Sequence, residues 1–291
     1  MGKIKIFTDS ASDIDMQTAE KYNIDVKGFN ILIDEKTYIE GKDITAVEFY
    51  EKLSNSSDFP KTSQLTFLQF TEFYAEYYNQ GYTDVIYVSI SSTGSATYNN
   101  ACVASERFYE EYPDAKGKFN IHVIDSKAYS GCYGYPVIQA AAKIQKGADI
   151  SDILAFINDW LSGVEVFFIP YSLEYIKKSG RLSSAAAFVG ELLGLKPVIS
   201  IIDGISENAE KIRGEKAIIP KLISVAKNRM IPKTPYVLLR GSLDDETKAF
   251  EKELIREMGY PPEYICYVGA TISCHVGSKL LGIIFKGEKR R

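Results

Sequence analysis

Apolar runs of strand length alternate with longer segments whose apolar positions recur at helical spacing. Residues 3–8, KIKIFT, read as a strand that ends at TDSASD, where Asp9, Ser10, Ser12 and Asp13 are placed to cap a helix near 14–22. Residues 24–40 alternate apolar and polar and predict a strand, then a hairpin around 34–36. Thr45 with Glu48 and Thr66 with Gln69 have the spacing of capping boxes, opening helices over 47–53 and through about Asn79. Residues 85–90 read as a strand, and the helix that follows runs to about Tyr112. FNIHVID (119–125) reads as another strand, SGCYG as a turn, and 135–145 as a helix. A further helix, capped by Asp149 or Ser151, reaches about Leu161. This alternation predicts an open, mainly parallel sheet covered on both faces.

After 161 the pattern changes. VEVFFIP (164–170) reads as a largely apolar strand, followed by a helix pattern to Lys178, a Ser-Gly turn and a helix of small and apolar residues. KPVISIIDG is a strand ending in an Asp-Gly hairpin signal, and Arg213-Gly214 closes the returning strand. Helices over 218–228 and 244–258 flank the strand PYVLLRGS, and EYICYVG reads as the last strand. The expectation is an α/β protein of two α/β domains, 1–161 with a mainly parallel sheet and 162–291 with a mixed one.

Composition narrows the class. The 291 residues are 45% apolar and 25% charged, as in a soluble globular protein. A net charge of −4 gives no reason to expect nucleic acid or an anionic membrane as partner. The N-terminus is a strand pattern rather than a secretory signal, and no run approaches about 18 apolar residues, so no stable membrane insertion is expected. Four separated cysteines without CxxC read as reduced thiols, and the expected location is cytoplasmic. The chain has two histidines, neither in a ligand cluster, so no metal is expected. Neither GxGxxG after a strand nor GxxxxGK[ST] occurs, so nothing specifies a dinucleotide or nucleoside triphosphate. The basic tail over 286–291 reads as solvated.

Candidate chemistry centres on SISSTGSATYNNA (89–101). Six hydroxyl residues, Ser89, Ser91, Ser92, Thr93, Ser95 and Thr97, lie between a strand and a helix start. Free N–H groups at such a position hold an anion, and a plain Ser-capped turn is the alternative. PKTSQLT adds Thr62, Ser63 and Gln64 ahead of another helix. His275 reads as a loop residue after the last strand, between Gly269 and Gly277. Arg181 with Lys177 and Lys178 is a solvated face or a meeting point for a phosphate or acidic partner. Asp9 is a cap, or a metal or catalytic residue; Asp125 is a cap or a site wall; His122 reads as structural. No GxSxG elbow exists, yet Ser95 with His275 leaves a hydrolase or acyltransferase open.

TDSASD, PKTSQ, ISS-x-x-S-x-TYNNA, IDS, YIKKSGR, LLGLKPVIS and GA-x-x-x-x-H-x-G follow one another over residues 3–286. In that order and spacing the chain resembles the DegV family. The resemblance implies a bacterial fatty acid-binding protein, itself without catalytic residues, with the acyl chain in a tunnel between two domains. It implies the acid as ligand, no other cofactor, and a fatty acid kinase catalytic subunit as partner, which forms an acyl phosphate for phospholipid synthesis. It carries carboxylate binding onto Thr62, Ser95 and His275, with the adjoining Ser63 and Ala96, and puts Arg181 near the binding cleft or the partner surface. The chain departs from the family pattern at Gly94 (usually Leu), Ala96 (usually Gly), Leu65 (usually Pro) and, after His275, at Ser278-Lys279-Leu280 (usually Pro-Gly-Ala), departures that bear on loop shape and so on pocket length or chain preference. Burying about 15 methylenes at roughly 0.8 kcal/mol each gives an upper limit near ~12 kcal/mol before ordering costs. A buried carboxylate without partners would cancel much of this.

Overall fold

A computed structural model describes residues 2–181 and 194–288. The expected helix of small and apolar residues after Arg181 and the end of the basic tail lie outside the described residues. Strand β1 (Ile4–Asp9) ends in a short 3-10 turn over Ser10–Ser12. The cap of helix α1 (Met16–Tyr22) is Asp15, whose carboxylate accepts from Thr18 N at 2.8 Å. Asp9, Ser10, Ser12 and Asp13, expected to cap this helix, are instead buried. Strands β2 (Asp25–Lys27), β3 (Asn30–Ile33) and β4 (Lys36–Ile39) follow. Asp34 and Glu35 at the β3–β4 turn take φ of 49° and 60°, the positive values a two-residue hairpin needs. Both capping boxes are present, Thr45 with Glu48 on α2 (Ala46–Asn55) and Thr66 with Gln69 on α3 (Phe67–Asn79). Strand β5 (Lys61–Ser63) lies between them.

Strand β6 (Asp84–Ser89), helix α4 (Thr97–Glu111) and strand β7 (Asn120–Asp125) come next. Helix α5 (Gly131–Gln145) begins earlier than expected: SGCYG is its opening, not a preceding turn. Glycine serves close packing there, since a Cβ on Gly134 would stand 2.2 Å from the Ser12 carbonyl oxygen. Pro136 removes the N–H that would bond the Cys132 carbonyl four residues back, and Trp160 Nε1 donates to that carbonyl at 2.9 Å instead. Trp160 belongs to α6 (Ile150–Leu161), which leads to β8 (Val164–Pro170) and α7 (Glu174–Ser179). Strands β9 (Leu195–Ile202) and β10 (Ile205–Arg213) form the Asp-Gly hairpin, with φ of 52° at Asp203 and 76° at Gly204. Then come α8 (Ile218–Arg229), β11 (Tyr236–Arg240), α9 (Asp244–Met258) and β12 (Tyr264–Tyr267). Strand β12 is not the last. Helix α10 (Ala270–Val276) and strand β13 (Leu280–Lys286) follow it, so His275 is a helix residue rather than a loop residue.

The class is α/β, with a parallel sheet and a mixed one. The parallel sheet has the order β2-β1-β6-β7. The mixed sheet has the order β10-β9-β8-β13-β11-β12, in which only β11 and β12 pair parallel. A third, antiparallel sheet, β4-β3-β5, joins the predicted hairpin to a three-residue strand too short to show in the sequence pattern. Period-two alternation divides the mixed sheet. Phe167, Ile169, Leu238 and Ile283 pack with residues of α8 and α9. Val166, Phe168, Ile201 and Leu239 face the other way, in a cluster with Cys132 and Tyr135 of α5 and Val276 of α10. Helix α5 touches strands of both large sheets.

Candidate functional site

Above the carboxyl end of β6, in front of that second face of the mixed sheet, lies a cavity of about 370 Å³. Its volume falls in the range that holds small organic ligands. Val166, Phe168, Ile201 and Leu239 supply sheet walls, and Phe29, Ile90, Val268 and Leu280 complete a deep apolar part. All of these are buried. At the mouth the lining changes to Gln64, Thr93, Asn99 and Arg181, all exposed. Between mouth and apolar part stand Thr62, Ser95, Ala96 and His275. Thus Thr62, Ser95, Ala96, Arg181 and His275 come to one cavity from four regions of the chain. Ser63 is not among its lining residues: it is exposed, and alternation along β5 turns it away from the face that carries Thr62.

The hydroxyl turn has an internal scaffold. Asp125 accepts from Ser92 N at 3.1 Å, Ser92 Oγ at 2.6 Å and Lys127 N at 3.0 Å. It therefore braces the turn, as neither a helix cap nor a cavity wall. Asp9 is fully buried and accepts from Tyr133 at 2.6 Å, Tyr87 at 2.7 Å and Ile90 N at 3.0 Å. Burial raises its carboxyl above the ordinary range, against the opposing pull of these donors. It neither caps a helix nor joins a metal cluster, and no metal-competent group of three or more His, Cys, Asp or Glu exists among the described residues. The other histidine, His122, stands on β7 with Nε2 3.3 Å from Asp84 Oδ1, away from the cavity.

At the start of α4 the cap position falls on Ala96, which has no side-chain acceptor, so the expected Ser cap is absent. Ser95 Oγ instead lies 2.8 Å from Thr97 Oγ1 and accepts from Thr97 N at 3.3 Å. Among the described residues the N–H groups of Ala96, Tyr98 and Asn99 carry no hydrogen bond. A 15-residue helix thus presents unpaired donors beside a serine hydroxyl at the cavity mouth. Asn100 Nδ2 donates to the Leu65 carbonyl at 2.7 Å and so ties this helix to the chain just after β5.

Across the mouth, Thr62 Oγ1 lies 3.1 Å from His275 Nε2. Burial pushes the His275 pKa down to about 4, and the Arg181 guanidinium acts in the same direction. The imidazole is therefore neutral at pH 7. Among the described residues its Nδ1 is buried without a partner and no carboxylate bonds the ring. Ser95 bonds Thr97, not His275, so a nucleophile–base–acid relay is not assembled. The arrangement sets uncharged hydroxyl, imidazole and N–H groups next to an apolar chamber.

Several lining residues escaped the sequence reading. Thr271 and Ile272 come with His275 once α10 is a helix. Ser130 lines the cavity with φ 57° and ψ −146°, a strained backbone for a residue with a side chain. Tyr129 lines it where Gly94 has no side chain: a Cβ on Gly94 would stand 2.5 Å from the Tyr129 hydroxyl. The glycine in STGS was the visible half of that pair.

A family model described as "Uncharacterised protein, DegV family" matches residues 3–288. A DegV domain-containing protein of Clostridium perfringens is 32% identical over 296 residues, spanning 100% of this chain and 99% of the relative. The solved structure of a stearic acid-binding protein from Eubacterium ventriosum superposes with a TM-score of 0.86 at 25% identity, covering 97% of this chain and 98% of the other. A DegV family protein of Thermus thermophilus, whose structure is described as showing fatty acid binding, has a TM-score of 0.83 at 27% identity, with 98% and 99% covered. No helix among the described residues is long and apolar enough to cross a membrane.

Proposed function

The chain belongs to the DegV family, and on that premise we propose that it binds a long-chain fatty acid in this cavity and is a carrier rather than an enzyme. The acid lies between an N-terminal domain of residues 1–161 and a C-terminal domain of 162–291. The observation that carries the reading is the grading of one cavity from buried aliphatic and aromatic walls to an exposed polar mouth. An acyl chain gains from the walls what the hydrophobic effect supplies, roughly 0.8 kcal/mol per methylene. The carboxylate needs donors to offset its desolvation. Thr62, Ser95, His275 and the N–H of Ala96 provide them. Arg181 at the mouth adds a positive charge without burying it.

Neutral donors leave the carboxylate nucleophilic, and its position at an exposed mouth keeps it within reach of a second protein. We extend the proposal accordingly: the bound carboxylate is presented to a separate fatty acid kinase in the cytoplasm, which converts it to an acyl phosphate for phospholipid synthesis. The hydrolase or acyltransferase alternative lacks support, because Ser95 has no base within hydrogen-bond reach among the described residues.

Organic extraction of the purified protein followed by mass spectrometry tests the reading. A long-chain acid near one per chain is the expected result. Absence of any acid, together with no uptake of added hexadecanoic or octadecenoic acid, overturns it. Ester hydrolysis that disappears in both Ser95→Ala and His275→Ala would establish the enzyme reading instead.

A further inference from the structure

The motif TDSASD has no part in the reading above, yet it delivers two aspartates to the interior. One of them, Asp13, meets Glu40 at the start of α10. Asp13 comes from the turn after β1, and Glu40 directly follows β4. Asp13 accepts from Gly269 N at 2.8 Å and from the Ser130 hydroxyl. Glu40 accepts from Ala270 N, and from Thr271 N at 3.2 Å. Two buried carboxyl groups thus hold three consecutive N–H groups where α10 begins. Gly269 makes room for both, since a Cβ there would stand 2.5 Å from Glu40 Oε1 and 2.6 Å from Asp13 Oδ1.

This is a costly way to cap a helix. The acidic neighbours of Asp13 are Glu40 and Asp9, and burial together with these charges raises its carboxyl well above the ordinary range. A single serine or asparagine caps a helix without burying an ionisable group. What the costly version supplies is connection. Helix α10 brings Thr271, Ile272 and His275 to the cavity. Glu40 continues β4 of the three-stranded sheet whose other edge strand, β5, carries Thr62. Glu40 therefore fixes the helix bearing His275 against the sheet bearing Thr62. Asp13 fixes the same helix against Ser130, another lining residue.

We infer that Asp13 and Glu40 are positioning residues for the carboxylate end of the cavity, holding α10 so that His275 and Thr62 meet a ligand carboxylate together. The inference rests on the fatty acid reading, and its test separates the two. Hexadecanoic acid and hexadecan-1-ol are each titrated against the unmutated protein and against Glu40→Ala, Gly269→Ala and His275→Ala, by displacement of a fluorescent fatty acid analogue. Glu40→Ala and Gly269→Ala are expected to weaken the acid by about tenfold, as for loss of a hydrogen bond to a charged group. The alcohol should change by no more than about twofold, and adding His275→Ala should cost little more. Gly269→Ala displaces both carboxyl groups without removing an ionisable residue. Glu40→Gln, read by the same acid-to-alcohol ratio, serves if Glu40→Ala does not fold. Equal losses for acid and alcohol, or no loss in a folded variant, would overturn the inference. Binding of neither probe by the unmutated protein would instead overturn the fatty acid reading.

Discussion

Thr62 Oγ1 and His275 Nε2 stand 3.1 Å apart across 213 positions of sequence, one on a three-residue strand and the other on a seven-residue helix. Each side chain orients the other, and both face the cavity. Thr62→Val and His275→Ala should each reduce fatty acid affinity by about tenfold, on the order of 1–2 kcal/mol. The double variant should fall well short of the product of the two, because removing either partner already disorganises the pair. Isothermal titration with hexadecanoic acid checks this, and full additivity would show two independent donors.

The depressed pKa of His275 has a definite sign in stability. Its folded value of about 4 lies below the ordinary 6.5, so between those values the unfolded chain binds the extra proton. The contribution is complete above pH 6.5 and is lost as pH falls towards about 4. Asp9, Asp13 and Glu40 act in the opposite sense: their folded values are raised, so the stability they contribute is lost as pH rises. His275→Gln removes the first effect and keeps the second. Urea denaturation at pH 7 and pH 5 should therefore show the unmutated protein losing stability relative to His275→Gln on acidification. A difference that does not change with pH would exclude a depressed histidine.

Gly94 and Tyr129 should act as one shape element. A methyl group at 94 would overlap the Tyr129 hydroxyl unless the ring moves, and both residues line the cavity. Gly94→Ala is expected to change the ranking of acids of different length and unsaturation, with affinity changes of about three- to tenfold. In a Tyr129→Ala background the same substitution should have little effect on the ranking. Competition between dodecanoic, hexadecanoic and octadecenoic acids gives the measurement.

Trp160 and Pro136 form a compensating pair within the fold. The indole N–H satisfies the carbonyl that the proline leaves unpaired. Trp160→Phe should cost about 2–3 kcal/mol, combining a stranded buried carbonyl with lost packing. In a Pro136→Ala background the restored backbone N–H can reach the Cys132 carbonyl, and the cost of Trp160→Phe should shrink by about 1 kcal/mol. Chemical denaturation of the four proteins completes the cycle.

Local chemistry was legible wherever a few neighbouring residues decide the outcome. Thr45 with Glu48 and Thr66 with Gln69 predicted their capping boxes, because such a cap is complete within one turn of chain. Asp203-Gly204 predicted its hairpin for the same reason. Alternating strands and helices through residue 161 predicted the parallel sheet, and the apolar run of β8, broken only by Glu165, marked a strand that is buried along its whole length. The grouping of Thr62, Ser95 and His275 came from motif order, and their spatial meeting was not visible in any one segment.

Tertiary contacts decided the rest. Strand β5 exists because β3 pairs with it, and three residues carry no periodicity to reveal that. TDSASD looks like a cap by composition, but Asp9 and Asp13 find their donors on Tyr87, Tyr133, Ile90 and Gly269, far along the chain. The stretch from Gly269 to Gly277 looks like a glycine-bounded loop until two remote carboxyl groups hold the N–H groups of Gly269, Ala270 and Thr271, where α10 begins. A sequence records which hydrogen-bonding groups a segment carries. Which partner satisfies them when water is excluded depends on what the fold brings near, and at this cavity that determined where His275 stands.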